Sequence, residues 1–226
     1  MKISASNGPK FKAVADKLSA AKSRYQAVEK ATGVPWWFVA VVHQRESSQK
    51  WNTYLGNGQS LDKKTTIVPK GRGPFKTWEE GAIDALVNCP PYAARNKDWS
   101  IGGSLALLEA YNGLGYYKKG RPSPYLWAGT NQYVSGKYVA DGVYDPNHVD
   151  KQLGVAGLLK FMGVFNTGAG TATSGAVVGT GLIATLYHYG EVALPYIIAG
   201  TAIALVSYAV YSFYKFRKNK TNVGKN

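Results

Sequence analysis

The chain is 226 residues long, carries a formal net charge of +14 and contains 16 Tyr, 6 Trp and 26 Gly residues. This length fits one globular domain with an appendage. The single cysteine, Cys89, excludes an internal disulfide and a zinc site built from cysteines. So basic a chain is expected to have a polyanionic partner, namely nucleic acid, anionic lipid or bacterial cell wall, or simply a soluble basic surface. The sequence contains no motif for specific nucleic-acid recognition, and its N-terminus lacks the apolar stretch of a secretory signal peptide.

The first half of the chain is predicted to be helical with one long interruption. Residues 1–10 are expected to be a flexible arm, and apolar residues at three- and four-residue steps predict a helix over residues 11–32. Gly33 ends this helix, and Pro35 is suited to the first position of the next one, PWWFVAVVHQRES. Residues 49–76 are rich in Gly, Asn, Lys and Thr, and are predicted to form a long loop with a small irregular β element at 50–75.

Three further helices are predicted before residue 166. Thr77 opens a capping box, TWEE, so a helix is expected to start there and to stop at Pro90. An apolar helix is predicted over residues 100–111, and an amphipathic one over residues 149–165. Residues 113–147 are dense in Gly, Pro and Tyr and are predicted to form a second long loop. Residues 11–166 are therefore expected to be one mainly α domain.

The C-terminal part is predicted to associate with a membrane. A Gly/Thr/Ala linker at 167–175 precedes apolar segments at 176–214 and a basic tail at 215–226. The run 192–214 has no charged side chain and is long enough to span a bilayer. A single span would place the domain across the membrane from the cytoplasmic tail. A helical hairpin turning at HYGE, which is slightly favoured, would keep the domain in the cytoplasm until the membrane is breached; a buried soluble helix is the alternative.

Glu46 is the carboxylate most in need of an explanation. It continues an apolar helix face and is followed by the long polar loop. Burial at such a place would raise its pKa, as a general acid requires, although a structural role is an equal alternative. His43 lies three residues before it and could tune this acid, but a core histidine is the plainer interpretation. Cys89 is interpreted as structural rather than as a nucleophile.

Two short elements resemble the lysozyme and lytic transglycosylase superfamily. Glu46-Ser47 resembles its Glu-Ser signature, and Tyr111-Asn112 lies in an Ala-Tyr-Asn element. The stretches VVHQRESSQKWNTYLGNGQSLDKKTTIVPKGRGPFKTWEEGAIDAL and YLWAGTNQYVSGKYVADGVYD are similar to phage and prophage endolysin-like proteins, so the resemblance covers roughly residues 36–165. It implies a mainly α (α+β lysozyme-like) fold in which Glu46 protonates the bond between N-acetylmuramic acid and N-acetylglucosamine.

One departure affects the expected mechanism. Relatives often have Asp in an Asn-Gly-Asp element after the catalytic Glu, whereas this chain has Asn57-Gly58-Gln59, with Asp62 three residues later. Glycosidases with two carboxylates need the second one as base or nucleophile. Asp62 and Asp141 are the candidates for this role; otherwise ring closure by the substrate's 6-hydroxyl, or assistance by its N-acetyl group, would fit a single acid.

Residues that bind the substrate are expected around this acid. Aromatic side chains offer flat apolar surfaces with a polar edge, which suit sugar rings, although any one of them could instead be core. The predicted substrate-binding residues are Ser47, Tyr54, Asn57, Thr65, Tyr111, Asn112, Tyr125, Trp127, Tyr133 and Tyr138, with Thr66 as a further hydrogen-bond donor. No metal site and no cofactor are expected.

The resemblance therefore implies a membrane-anchored, peptidoglycan-degrading muramidase, expected to be a phage lysis protein at the host inner membrane that acts on the periplasmic wall. The alternatives with the same chemistry are a lytic transglycosylase and a virion-associated wall-drilling lysozyme. A catalytically inactive wall-binding or structural virion protein and a holin-like pore former are alternatives of other classes. The expected partners are bacterial peptidoglycan, the membrane and a holin or other lysis or virion proteins, without specific nucleic acid.

Overall fold

The structure, a computed structural model, describes residues 1–140 and 142–165. In these ranges the protein is mainly helical, with eight α-helices and one antiparallel two-stranded sheet. The helices are α1 (Gly8–Ala20), α2 (Lys22–Thr32), α3 (Trp36–Ser47), α4 (Trp78–Asn88), α5 (Ile101–Asn112), α6 (Gly115–Lys118), α7 (Pro124–Trp127) and α8 (Val155–Phe161). The strands are β1 (Lys137–Ala140) and β2 (Val143–Asp145), and a short 3-10 helix covers Ala93–Arg95.

Helix α3 is the centre of the fold. Six consecutive residues, 38–43, are buried, so the helix is covered on every side. It packs against α1, α2 and α8, and α2 also packs against α4. The largest fully buried side chains of the described residues include Phe11, Leu18, Tyr25, Phe38, Leu86, Leu108, Leu126, Leu158 and Leu159. This core fixes the C-terminal end of α3, where Glu46 lies.

The single helix predicted over residues 11–32 is two helices. The break is at Ala21, whose N–H bonds to Leu18 O instead of continuing the α-helical ladder. Both halves contact α3, but α1 packs mainly against α8, whereas α2 packs mainly against α3 and α4. Packing on different neighbours thus overrides the continuous helical periodicity.

The N-terminal arm predicted over residues 1–10 is anchored instead. Lys2 N donates to Asn131 Oδ1 at 2.6 Å, and Ile3 forms an isolated β-bridge with Thr130. Helix α1 already begins at Gly8, and Asn7 Nδ2 bonds to Gly129 O. Backbone and amide hydrogen bonds to residues 129–131 therefore order the N-terminal segment, which its polar composition alone predicted to be flexible.

The sheet lies in a different loop from the one predicted. Residues 50–75 contain an isolated bridge between Thr53 and Ser60, and the described chain has its only strand pair at 137–145. The β-forming Tyr138 and Tyr144 pair across a turn at Gly142, whose φ of +71° suits glycine. In the 50–75 loop, irregular backbone hydrogen bonds such as Leu61 N to Asn52 O are joined by side-chain ones, since Gln59 Oε1 accepts from Thr66 N and Ile67 N.

The ends of several helices follow the sequence signals. Thr77 Oγ1 accepts from Glu80 N at 3.1 Å, which confirms the predicted start of α4. Ser100 caps α5, and α3 begins one residue after Pro35. The closing helix, predicted over residues 149–165, is shorter, because Asp150 turns inward to an ion pair before α8 starts at Val155.

No helix in residues 1–140 and 142–165 is long and apolar enough to cross a membrane. The predicted linker at 167–175, the membrane segments at 176–214 and the basic tail at 215–226 lie outside the described residues.

Candidate functional site

Glu46 is the next-to-last residue of α3 and is partly exposed. Tyr125, at the second position of α7, donates a hydrogen bond from its hydroxyl to Glu46 Oε1 at 3.2 Å. On the backbone side, a Cβ at Gly58 would lie 2.8 Å from Glu46 O, so the loop after α3 approaches the helix end closely. The carboxyl group is thus positioned by the helix, by a tyrosine from α7 and by a close-packed glycine loop.

The environment of Glu46 suits a proton donor. Burial raises the pKa of its carboxyl from 4.5 to about 7, against the opposing effects of the Tyr125 hydrogen bond and the Arg45 charge. A carboxyl with this pKa is about half protonated at neutral pH, which is the condition for general acid catalysis. Desolvation is the dominant cause of the raised pKa, as the position of Glu46 in the sequence predicted.

Tyr125 contacts this carboxyl, and Tyr111 lies near enough to interact with it electrostatically. Burial and then the Glu46 charge raise the pKa of both phenols well above the ordinary value. Both hydroxyls therefore stay neutral and can donate hydrogen bonds at any physiological pH. The structure brings these two predicted residues to Glu46, with Tyr111 near the end of α5 and Tyr125 in α7.

A buried ion-pair cluster lies directly beside the carboxyl. Arg45 Nη2 and Asp150 Oδ2 are 2.9 Å apart, and Lys137 Nζ is 3.0 Å from Asp150 Oδ1. The Arg45 guanidinium also lies over the Tyr125 ring at 4.8 Å. The arginine that precedes Glu46 is therefore tied to the same tyrosine and to the segment before α8.

A cavity of about 440 Å³ opens next to this cluster. Its described lining comes from the end of α5, the segment that follows, the β1–β2 hairpin and the ion-pair cluster. The lining residues are Arg45, Asn112, Gly113, Leu114, Gly115, Tyr116, Pro124, Lys137, Tyr138, Ala140, Gly142 and Asp150. Asn112 and Tyr138 are thus brought to this cavity, which adjoins Glu46 through Arg45 and does not include Glu46 itself.

Two predicted substrate-binding residues, Tyr54 and Thr65, are placed in structural roles instead. Tyr54 is fully buried, donates to Asp84 Oδ2 at 2.9 Å and stacks on Phe75. Thr65 is buried, with its hydroxyl donating to Pro69 O and accepting from Arg72 N. Their positions stabilise the long loop and leave no free hydroxyl for a glycan.

Tyr133 is also placed in the interior. It is 7% exposed, and its hydroxyl accepts from Asp150 N and lies 3.2 Å from both Gly136 O and His148 O. This hydroxyl fixes the backbone that presents Asp150 to Arg45. Tyr133 therefore stabilises the ion-pair cluster through the backbone of Asp150.

The remaining predicted residues lie at or near the surface. Asn57 Nδ2 donates to Ile67 O at 3.2 Å, and Ser47 Oγ donates to His43 O at 3.3 Å. Thr66 is exposed, with its hydroxyl accepting from Gln59 Nε2 at 2.9 Å. Trp127, at the end of α7, is partly exposed.

Of the two predicted partner carboxylates, the structure describes only Asp62, and it records no contact between Asp62 and Glu46. Asp62 is exposed and accepts from Ser60 Oγ at 2.5 Å. The neighbours that lower the pKa of Glu46 are Tyr125 and Arg45, and Asp62 has no part in the shift. Asp141 lies outside the described residues.

Glu109 is a second buried carboxyl, which the sequence interpretation missed. It is 3% exposed on α5, and burial raises its pKa to about 7. The Ser123 hydroxyl and the Tyr117 amide lie near and oppose the shift, but among the described residues neither carboxylate oxygen accepts a hydrogen bond of good geometry. Its position inside the apolar run SLALLEAYN was the available signal.

His43 is a core histidine. Its ring nitrogens bond to the Tyr25 hydroxyl and to Lys50 O, and burial lowers its pKa to about 4. It therefore stays neutral and does not supply a charge to Glu46. Among residues 1–140 and 142–165, no group of three or more His, Cys, Asp or Glu side chains could hold a metal ion.

In comparisons with known proteins, no family model matches the chain, and it matches neither a curated protein nor a solved structure.

Proposed function

We propose that this protein is a muramidase that cleaves the β-1,4 bond between N-acetylmuramic acid and N-acetylglucosamine, with Glu46 as general acid. The observation that carries the proposal is the carboxyl of Glu46: partly exposed, with a pKa near 7, and with the neutral phenols Tyr111 and Tyr125 nearby. The Glu-Ser and Ala-Tyr-Asn elements, which resemble the lysozyme superfamily, contain this acid and one of these phenols.

In the first step, Glu46 transfers its proton to the glycosidic oxygen while the bond from that oxygen to the anomeric carbon breaks. The leaving sugar departs as a neutral alcohol, and the positive charge develops on the ring that stays behind. The Tyr125 hydroxyl donates to Glu46 Oε1, and this hydrogen bond stabilises the carboxylate that forms. The same contact holds the carboxyl in one orientation.

In the second step, one carboxyl serves as both acid and base. Because Asp62 is exposed and does not influence Glu46, the proposal assigns the base to the Glu46 carboxylate itself. It removes a proton either from a water molecule or from the 6-hydroxyl of the muramic acid, and that oxygen bonds to the anomeric carbon. Water gives a reducing sugar and identifies a hydrolase, whereas the 6-hydroxyl gives a 1,6-anhydro ring and identifies a lytic transglycosylase.

The proposal places the enzyme at a membrane through residues 176–214, with the basic surface of the domain on the anionic wall. The apolar run at 192–214 and the basic tail after it support a phage lysis protein at the host inner membrane. Protease accessibility of both chain ends in spheroplasts distinguishes one span from a hairpin.

The test is digestion of purified peptidoglycan by the full-length chain in mild detergent, followed by mass analysis of the soluble fragments. Wild type should release muropeptides, and Glu46→Gln should lower the rate by a factor of roughly 1,000 or more, since the proton donor is removed. Absence of cleavage by folded wild-type protein would refute the enzyme and favour a wall-binding or structural virion protein. Membrane leakage caused by residues 174–226 alone would instead favour a holin-like pore former.

A further inference from the structure

The cavity beside Glu46 is cationic in its described part. Of its described lining residues, Arg45 and Lys137 are positively charged and Asp150 is negatively charged, which leaves one positive charge in excess. Asp150 binds both cations, through separate carboxylate oxygens. An anionic group entering the cavity would meet both of these cations.

Arg45 has an unused donor in a buried position. Its side chain is 5% exposed; Nη2 bonds to Asp150 and Nη1 lies 3.4 Å from Leu153 O. Its Nε has no hydrogen-bond partner in the part of the chain that the structure describes. A buried guanidinium N–H without an acceptor is costly, so the hydrogen bonding of this arginine is incomplete among the described residues.

Lys137 supplies the accessible cation of the pair. Its side chain is 32% exposed, and one contact to Asp150 leaves further N–H donors on its ammonium group. A carboxylate at the mouth of the cavity could therefore bind Lys137 while Arg45 holds Asp150 in place.

Tyrosines with stacked cations extend from this cavity. Tyr116, Tyr138 and Tyr144 pack edge to face, with ring centroids 5.1 to 6.4 Å apart. Lys119 lies over the Tyr138 ring at 5.5 Å, and Arg121 lies over the Tyr144 ring at 3.9 Å. Aromatic faces beside cations suit a ligand that combines carboxylates with short apolar groups.

We propose that this cavity binds the carboxylate-bearing peptide stem that N-acetylmuramic acid carries on its lactyl group. The identity of the ligand rests on the proposed function, because Arg45 lines the cavity and Glu46 follows it directly in the chain. Tyr125 joins the two places, because its hydroxyl donates to Glu46 Oε1 at 3.2 Å while the Arg45 guanidinium lies 4.8 Å from its ring, so a muramic acid bound at Glu46 would have its substituent close to the cavity. Bound in this way, the stem fixes which sugar lies on which side of Glu46.

The test is binding of a soluble N-acetylmuramoyl dipeptide with free carboxylates, and of its fully amidated counterpart, to the full-length chain by titration calorimetry. We expect the acid to bind about tenfold more tightly than the amide, because hydrogen bonds to a charged group are stronger than those to a neutral one. The preference should shrink at high salt, because charge carries it. Equal affinity of the acid and the amide would overturn the proposal.

Lys137→Gln tests the residue assignment, since glutamine keeps a donor for Asp150 and removes the charge. We expect the preference for the acid to fall to near parity in this variant and to persist in Lys30→Gln, a control that removes an exposed lysine on α2. An unchanged preference in Lys137→Gln would overturn the assignment.

These readouts need no turnover, because the ligand has no glycosidic bond to cleave. A chain that binds the acid selectively but leaves peptidoglycan intact would refute the muramidase and uphold this site. A chain that cleaves peptidoglycan but binds the acid and the amide equally would uphold the muramidase and refute this site.

Discussion

Replacing Glu109 by Gln should stabilise the protein, and the gain should grow with pH. Glu109 is 3% exposed, and burial raises its pKa from 4.5 to about 7. Below pH 4.5 the carboxyl is protonated in both the folded and unfolded states, so it carries no penalty. Between pH 4.5 and 7 the unfolded chain has released this proton while the folded chain still holds it, so the free energy of unfolding falls as the pH rises; above pH 7 the folded carboxyl is ionised too, and the loss levels off.

The size of the effect follows from the shift. Each pKa unit corresponds to about 1.4 kcal/mol, so a change from 4.5 to about 7 corresponds to roughly 3 kcal/mol at pH 9. Glutamine has nearly the same shape without the charge, and Glu109→Gln should recover most of this difference. At pH 4 the variant and wild type should have nearly equal stability.

The assay is chemical denaturation from pH 4 to pH 9, followed by tryptophan fluorescence. All six Trp residues lie before residue 128, so the signal reports on the domain even in the full-length chain. Glu29→Gln, which removes a partly exposed carboxyl of α2, is the matched control for the loss of one negative charge. A difference between Glu109→Gln and wild type that stays constant over this pH range would refute the reasoning.

Three other variants test the contacts around Glu46. Tyr125→Phe removes a hydrogen bond that lowers the pKa of Glu46, so this pKa should rise in the variant. Wall cleavage should then persist to higher pH than in wild type. An alkaline limb of the pH–rate profile that does not move would contradict the contact. Asp150→Asn leaves Arg45 as a buried, uncompensated charge and should cost about 3–5 kcal/mol in denaturation, whereas a loss below ~1 kcal/mol would contradict the ion pair. Gly58→Ala introduces a Cβ at φ +72° and 2.8 Å from Glu46 O. The free energy of unfolding should fall by about 1–3 kcal/mol, and part of the activity should be lost. Wild-type stability of this variant would show that the loop is not close-packed there.

The helical framework was largely predictable, because its signals are local. The caps at Thr77 and Ser100 and the continuous apolar runs of α3 and α5 are written within a few consecutive residues. The break at Ala21 was not predictable, since it depends on which helices α1 and α2 pack against. The β1–β2 hairpin was missed because the Gly- and Tyr-rich composition of residues 113–147 hides two very short strands.

In the candidate site, the prediction for Glu46 rested on one carboxylate ending an apolar helix, and the structure gives it the raised pKa that such a place implies. Aromatic composition could not separate Tyr125, which bonds to Glu46, from Tyr54 and Tyr133, which are buried in structural networks. The pairing of Arg45 with Asp150 joins residues 105 positions apart, and nothing local in the sequence indicates it.

The most direct test of the account compares Glu46→Gln with Glu109→Gln in peptidoglycan cleavage at pH 6. Both variants remove a carboxyl whose pKa burial raises to about 7, but only Glu46 bonds to Tyr125 and is assigned to the reaction. We predict a fall in kcat/KM of roughly 1,000-fold or more for Glu46→Gln, and a rate within about threefold of wild type for Glu109→Gln, which changes no group assigned to the reaction. Equal losses in the two folded variants, or wild-type activity in Glu46→Gln, would contradict the assignment of Glu46 as the acid.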